Sequence, residues 1–331
     1  MGSLLVADIG GTNARFGLVE QAPNTSKPNY TANQQITLRC ADYPDMGSMI
    51  KACCAQFKIA MPEYACLAIA GPIEHGIAQM TNLDWKFSIS ELRDQLGMKT
   101  LHVINDFAAL AYAVPFLSAD ETKVLYAANS NPEAPIVVMG PGTGFGMALL
   151  VPENGSWKII PTEGGHASFA PTTEKELAIK SFLLKEQSHV SVENILSGIG
   201  LVHLYRALAH IAGVQAQDYS PAEVSAKGLA NEDAICREAV VTFLNTLGAV
   251  AGDKAVSTGA RGGVVIGGGI TPKLMSMLPE TNFEERYKNK GPMRGYVSDI
   301  SIKVIVNDKA ALVGSAAWLI HNTPELKPVL V

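Results

Sequence analysis

Apolar residues in this chain come in short runs, each closed by glycine or a polar residue. Leu4–Ala7 is apolar throughout, as a strand buried on both faces would be. Gly10-Gly11 turns the chain, and Ala14–Val19 predicts the returning strand of a hairpin. Residues 21–33, rich in Pro, Asn, Thr and Ser, predict an exposed loop. A helix is expected over Gly47–Ala60 and a buried strand over Cys66–Ala70, ended by Gly71-Pro72. Ser88-x-x-Glu91 has the spacing of a capping box and opens a helix over 89–96. Leu101–Ile104 predicts a strand, and Asn105-Asp106 leads into an Ala-rich helix over 107–114.

A second series starts near residue 136. Ile136–Met139 and Met147–Val151 predict strands on either side of the Gly-rich stretch Gly140–Gly146. The order of the N-terminus is repeated: an apolar strand, a Gly-Thr turn (Gly11-Thr12, then Gly142-Thr143) and a second strand, roughly 131 residues apart. Such a repeat points to an ancient duplication with two similar lobes. A third unit runs from Gly263–Ile266 through Gly267-Gly268-Gly269 to a helix from Thr271. The alternation of strands and helices makes the fold class α/β, and 331 residues exceed what one core serves, so two lobes are expected.

Composition narrows the function classes. Hydrophobic residues are 47% and charged residues 17% of the chain, the balance of a protein with a large core. The net charge of −5 and the lack of any Lys/Arg cluster argue against a nucleic-acid partner. The five cysteines form no C-x-x-C pair, which argues against a zinc site and a disulfide framework and suits a reducing cytoplasm. The apolar start is short, lacks a basic flank and is broken by Asp8, so no signal peptide is expected. No membrane span is expected either, since no uninterrupted apolar run approaches ~18 residues.

Three Gly-rich turns, each directly after an apolar strand, carry the chemistry: Asp8-Ile-Gly-Gly-Thr-Asn13, Gly140-Pro-Gly-Thr-Gly-Phe-Gly146 and Gly267-Gly-Gly269. Converging backbone N–H groups hold phosphate, and glycine lets the backbone come close. Each turn taken singly reads equally as a tight hairpin; together they favour a nucleotide. There is no Gly-Lys dipeptide, hence no P-loop, and no G-x-G-x-x-G. A carboxylate at Asp8 among phosphate-binding amides calls for a cation, and Mg²⁺ binds through one or two carboxylates, waters and phosphates. Asp8 could instead close the turn by a side-chain hydrogen bond.

Asp8-x-Gly-Gly-Thr-Asn-x-Arg15, Gly142-Thr143-Gly144 and Gly267-Gly268-Gly269 resemble the two phosphate motifs and the adenosine motif of the sugar kinase–heat-shock chaperone–actin superfamily. Asn105-Asp106-Phe107, Glu163-Gly-Gly-His166 with Ser168-Phe-Ala-Pro171, Val190-Ser-x-Glu193-x-x-Leu-Ser-Gly198 and Thr81-Asn82-x-x-Trp85 resemble the bacterial glucokinases within it. The resemblance runs from about residue 4 to about 320. It implies a duplicated, two-lobed actin-like ATPase fold with a ligand cleft between the lobes. The small lobe would comprise 1–108 plus 310–321 and the large lobe 109–309. It further implies ATP-dependent phosphorylation of glucose at the 6-hydroxyl, in a cytoplasmic homodimer.

By the same resemblance, Ala7, Asp8, Ile9, Gly10, Gly11, Thr12, Gly142, Thr143, Gly144, Gly267, Gly268 and Gly269 would bind ATP, with Asp8 in the magnesium shell. Asn105, Asp106, Glu163, His166 and Glu193 would bind glucose, with Asp106 as the catalytic base. That set suits hydroxyls, which both donate and accept. Each residue also has a plainer reading: Asp106 as a helix N-cap, Asn105 as a turn residue, Glu163 and His166 as an exposed turn, Glu193 as a solvated position. Rival functions are a kinase for another hexose or an amino sugar, a non-catalytic sugar-binding regulator, and a chaperone or filament ATPase. Regulators of this kind carry an N-terminal helix-turn-helix, and here the sequence opens on the first strand.

Overall fold

The computed structural model describes residues 3–20, 30–80, 83–153 and 155–327. The chain folds into two compact units, Met1–Ser118 with Asn307–Val331, and Ala119–Val306. The boundary expected after residue 108 would cut the helix Asp106–Ala113. That helix packs along the C-terminal helix Ala310–Asn322, so both stay in the first unit.

The first unit is built on strands β1 (Leu4–Ile9), β2 (Asn13–Val19), β3 (Gln34–Arg39), β4 (Tyr64–Ile69), the short β5 (Ile73–Glu74), β6 (Ile77–Gln79) and β7 (Lys86–Ser88), and β8 (Thr100–Asn105). The main sheet has the order β3-β2-β1-β4-β8. β1 and β2 form an antiparallel hairpin closed by Ile9↔Ala14, while β1, β4 and β8 run parallel. Alternation along β1 explains its unbroken apolar run. Leu5, Ala7 and Ile9 join one core cluster with Ile50 and Cys53 of the helix Met46–Phe57. Leu4 and Val6 join another with Leu312, Ala316 and Leu319 of the C-terminal helix. Asp8 continues the Leu4–Val6 row, so a carboxylate stands where the period calls for an apolar side chain.

Helix ends follow their caps. Asp45 accepts from Ser48 N–H at 2.7 Å at the start of Met46–Phe57, and Lys58, at φ 57°, stops it two residues before Ala60. Ser88 caps Ile89–Leu96 by accepting from Glu91 N–H. Thr81, Asn82 and residues 21–29 of the expected loop lie outside the described residues.

The second unit carries β9 (Thr122–Tyr126), β10 (Ile136–Pro141), β11 (Phe145–Glu153), β12 (Ser156–Thr162), β13 (Gly263–Ile266) and β14 (Ile302–Ile305), in the order β12-β11-β10-β13-β14-β9. Its first five strands repeat the pairing of the first unit: an antiparallel meander, then two parallel neighbours. The duplication is thus visible as topology. Leu4 stands where Ile136 stands, 132 residues on, and Ala14 where Phe145 stands, 131 residues on. The second turn is one residue shorter, which is why the two Gly-Thr pairs are only approximately equivalent.

Four longer helices separate β12 from β13: Glu174–Leu183, Gly198–Ile211, Pro221–Ala230 and Ala234–Thr258. The last has 25 residues and is long and apolar enough to cross a membrane, against the expectation from apolar runs. Its side chains instead fill the core of this unit, with Phe243, Leu244, Leu247 and Ala251 fully buried. Apolar residues spread around a helix leave no 3.6-residue stripe.

Candidate active site

In the first unit the sheet register gathers the acidic groups. Ile9↔Ile69 and Ile69↔Asn105 are paired, so the carboxyl ends of β1, β4 and β8 are level. Ligands of open α/β sheets bind at that end. Asp8, the 10–13 turn and Asn105-Asp106 all emerge there. In the turn, Gly10 N–H donates to Asn13 O at 3.0 Å, and Cys40 N–H to Thr12 O at 2.9 Å. The N–H groups of Gly11 and Thr12 and the Thr12 hydroxyl have no partner among the described residues.

Asn105 is the N-cap of Asp106–Ala113: its Oδ1 accepts from Phe107 N–H at 2.9 Å and Ala108 N–H at 3.1 Å. The capping reading of Asp106 is thereby displaced onto its neighbour. One Asp106 oxygen accepts from Phe107 N–H at 2.8 Å, and the carboxyl remains available at the strand end. Burial, then the nearby Asp8 charge, push its pKa to about 6, against the pull of the Phe107 and Asp106 N–H groups and the Asn105 side chain. Asp8 is itself raised by burial and drawn back by Arg15, its cross-strand partner. The Arg15 guanidinium also holds Asp308, through the carboxylate at 3.1 Å and the backbone carbonyl.

In the second unit the 142–144 turn mirrors this arrangement. Gly142 N–H donates to Gly144 O at 2.8 Å, leaving the Thr143 and Gly144 N–H groups and the Thr143 hydroxyl unpaired among the described residues. The third turn lies against it: Gly267 N–H donates to Met139 O at 2.8 Å, and a Cβ on Gly140 would collide with the Gly267 carbonyl. The two Gly-rich turns of this unit therefore form one continuous backbone surface.

Glu163 and His166 flank the single 3-10 turn Gly164–His166, with Glu163 Oε2 and His166 Nε2 3.9 Å apart and both side chains exposed. Glu193, distant in sequence, is brought to them by backbone pairing. Phe169 N–H donates to Val190 O and Val192 N–H to Ala167 O, both at 2.9 Å, and Ser168 bridges Ser191. Glu193 N–H then meets Gly165 O at 2.9 Å. Glu193 is not a freely solvated position: its Oε2 accepts from Phe145 N–H at 2.7 Å, and a Cβ on Gly144 would strike the same oxygen. One carboxylate thus ties the Glu163–His166 turn to the phosphate-type turn. The Phe145 amide and Lys254, whose Nζ donates to Gly164 O at 3.0 Å, were not legible as site groups. The lone cation late in an apolar helix was the one available signal for Lys254.

Among the described residues no group of three or more His, Cys, Asp or Glu could hold a metal ion. Asp8 offers the single carboxylate that a cation shared with phosphates and water requires, and the neighbouring amides can hold those phosphates.

A family model described as Glucokinase matches residues 5–322. A glucokinase of Chromobacterium violaceum is 41% identical over 328 residues, 99% of this chain and 92% of the relative. One from Saccharophagus degradans is 38% identical over 95% of this chain and 97% of its own. The solved structure of a glucokinase from an Antarctic psychrotroph superposes with a TM-score of 0.87 at 40% identity, covering 98% of this chain and all of that one.

Proposed function

The chain belongs to the glucokinase family, and on that premise we propose the residue roles by which it phosphorylates glucose. The activity is transfer of the γ-phosphoryl of ATP to the sugar 6-hydroxyl, giving glucose 6-phosphate and ADP. The N–H groups of Gly11, Thr12, Thr143 and Gly144 bind the phosphates, with the Thr12 and Thr143 hydroxyls beside them. The backbone at Gly267-Gly268-Gly269 takes the adenosine end. Ala7 and Ile9 set the strand end from which the first turn departs. Asp8 holds Mg²⁺, whose contribution when bound is to offset phosphate charge.

Asn105, Glu163, His166 and Glu193 bind sugar hydroxyls, and Asp106 accepts the proton of the 6-hydroxyl as the new bond forms. Asn105 gives its Oδ1 to the helix cap, which leaves its amide N–H₂ as the donor toward a hydroxyl. Mutual neutralisation with Arg15 keeps Asp8 from repelling phosphate fully. Five buried cysteines without a disulfide suit work in a reducing cytoplasm, and a homodimer is the assembly we assign with the family.

The observation that carries the Asp106 role is its position: a carboxylate at the carboxyl end of β8, beside Asp8, with the capping task taken by Asn105. Asp106→Asn preserves shape and hydrogen bonding to a hydroxyl but cannot accept the proton. Turnover should fall ~10²–10⁴-fold, with glucose affinity by calorimetry within a few-fold of wild type. Turnover close to wild type in the folded variant removes Asp106 from the mechanism. A panel of hexoses and amino sugars with coupled ADP detection tests the choice of glucose.

A further inference from the structure

We infer that Lys254 is a positioning residue for the sugar subsite, acting through the backbone of the Glu163–His166 turn; this rests on the reading that Glu163 and His166 bind the sugar. The turn is built on Gly164-Gly165, two residues whose backbones hold no conformation by themselves. Its shape must therefore be imposed from outside. Gly164 N–H donates to Thr162 Oγ1 at 3.2 Å, His166 N–H to Glu163 O at 3.0 Å, and Gly165 O accepts from Glu193 N–H at 2.9 Å. The remaining carbonyl, Gly164 O, is held by Lys254 Nζ at 3.0 Å. This is the one charged bond among the four, and it comes from the long core helix rather than from any glucokinase-like motif.

Lys254 has no carboxylate within ion-pair distance among the described residues. Its neighbour Asp253 is engaged with Lys290 at 2.8 Å. Burial pushes the ammonium pKa down, opposed by Asp253. A half-buried ammonium that lacks a paired carboxylate is costly, and its hydrogen bond goes to the peptide that joins the two glycines. Fixing that peptide plane fixes the directions in which Glu163 and His166 leave the turn. Lys254 acts in this reading only through that backbone bond.

The test compares Lys254→Met, Lys254→Arg and Glu163→Gln in the full chain by steady-state kinetics with each substrate varied, alongside thermal denaturation. Lys254→Met should raise the glucose KM about tenfold, the scale of one lost hydrogen bond from a charged donor. The ATP KM should stay within twofold, and Lys254→Arg should recover most of the loss. A purely structural role predicts a lower Tm with both KM values raised together and no separate rescue by arginine; that result overturns the inference. An unchanged glucose KM in Lys254→Met, with Glu163→Gln clearly impaired, overturns it while leaving the sugar site standing. No change in either variant overturns the sugar-site reading as well.

Discussion

In the role proposed for Asp106, one side chain's environment would set both rate and stability. Its carboxyl, pushed up to about 6 by burial and the Asp8 charge, is protonated in mildly acidic solution. The value of kcat/KM for glucose should therefore fall about tenfold per pH unit below about 6 and level off above it. Asp8→Asn removes the like charge, so the acid limb should move to lower pH; an unmoved limb would show that the two carboxyls do not interact. Stability follows the same shift with a definite sign. Between 3.8 and about 6 the native carboxyl keeps a proton that the unfolded chain has lost, so stability declines as pH rises through that window, and the ionised group is a standing cost above it. Asp106→Asn should accordingly have a higher Tm than wild type near pH 7.5, with the difference vanishing near pH 4. Gly144 makes a second case. A methyl there meets Glu193 Oε2, so Gly144→Ala, though placed in a phosphate-type turn, should raise the glucose KM as well as the ATP KM. An effect on ATP alone would mean that Glu193 is free to move aside.

At the scale of elements, what the chain states locally was legible and what it states by contact was not. Leu4–Ala7, Ala14–Val19 and Ile136–Met139 read as strands because both faces of each sheet are covered, which leaves unbroken apolar runs closed by glycine. Ala234–Thr258 was invisible to periodicity for the converse reason: its apolar residues are spread around the helix rather than gathered on one stripe. Asp8, Thr143 and Glu193 were picked out only jointly, by the motif spacings in which they stand. The bond from Phe145 N–H to Glu193 and the bond from Lys254 to Gly164 span 48 and 90 residues, and no local pattern encodes them. The plainer reading of Asp106 put the cap of Asp106–Ala113 one position too far along, since Asn and Asp cap equally well and stand adjacent. That near-equivalence supplies a test. Asn105→Asp should keep the cap and leave Tm little changed, while adding a negative charge beside Asp106 and moving the acid limb above 6. A limb that stays in place would put the Asn105 side chain out of electrostatic reach of the base.

At the scale of the molecule, one sheet plan is used twice, and each copy delivers the same device: a strand, a turn with two amides and a hydroxyl that lack a partner among the described residues, and a returning strand. Duplication accounts for this economically, because a hairpin that presents such amides once needs only small changes to present them again. The two copies differ in what surrounds the turn: the first carries Asp8 and Asp106 at its strand ends, and four longer helices follow the third strand of the second. Each unit also has its own buried clusters: two around the first sheet, one of which includes the C-terminal helix, and one large cluster around the second. Leu247 lies wholly inside that large cluster. Leu247→Ala should cost ~2–5 kcal/mol, as large-to-small substitutions at buried leucines do. If the cores are energetically separate, amide hydrogen exchange should quicken in β10 and β13 and remain unchanged in β1 and β4. Equal loss of protection in both sheets would show instead that the two copies unfold as one cooperative body, and that the duplication gave rise to a single folding unit.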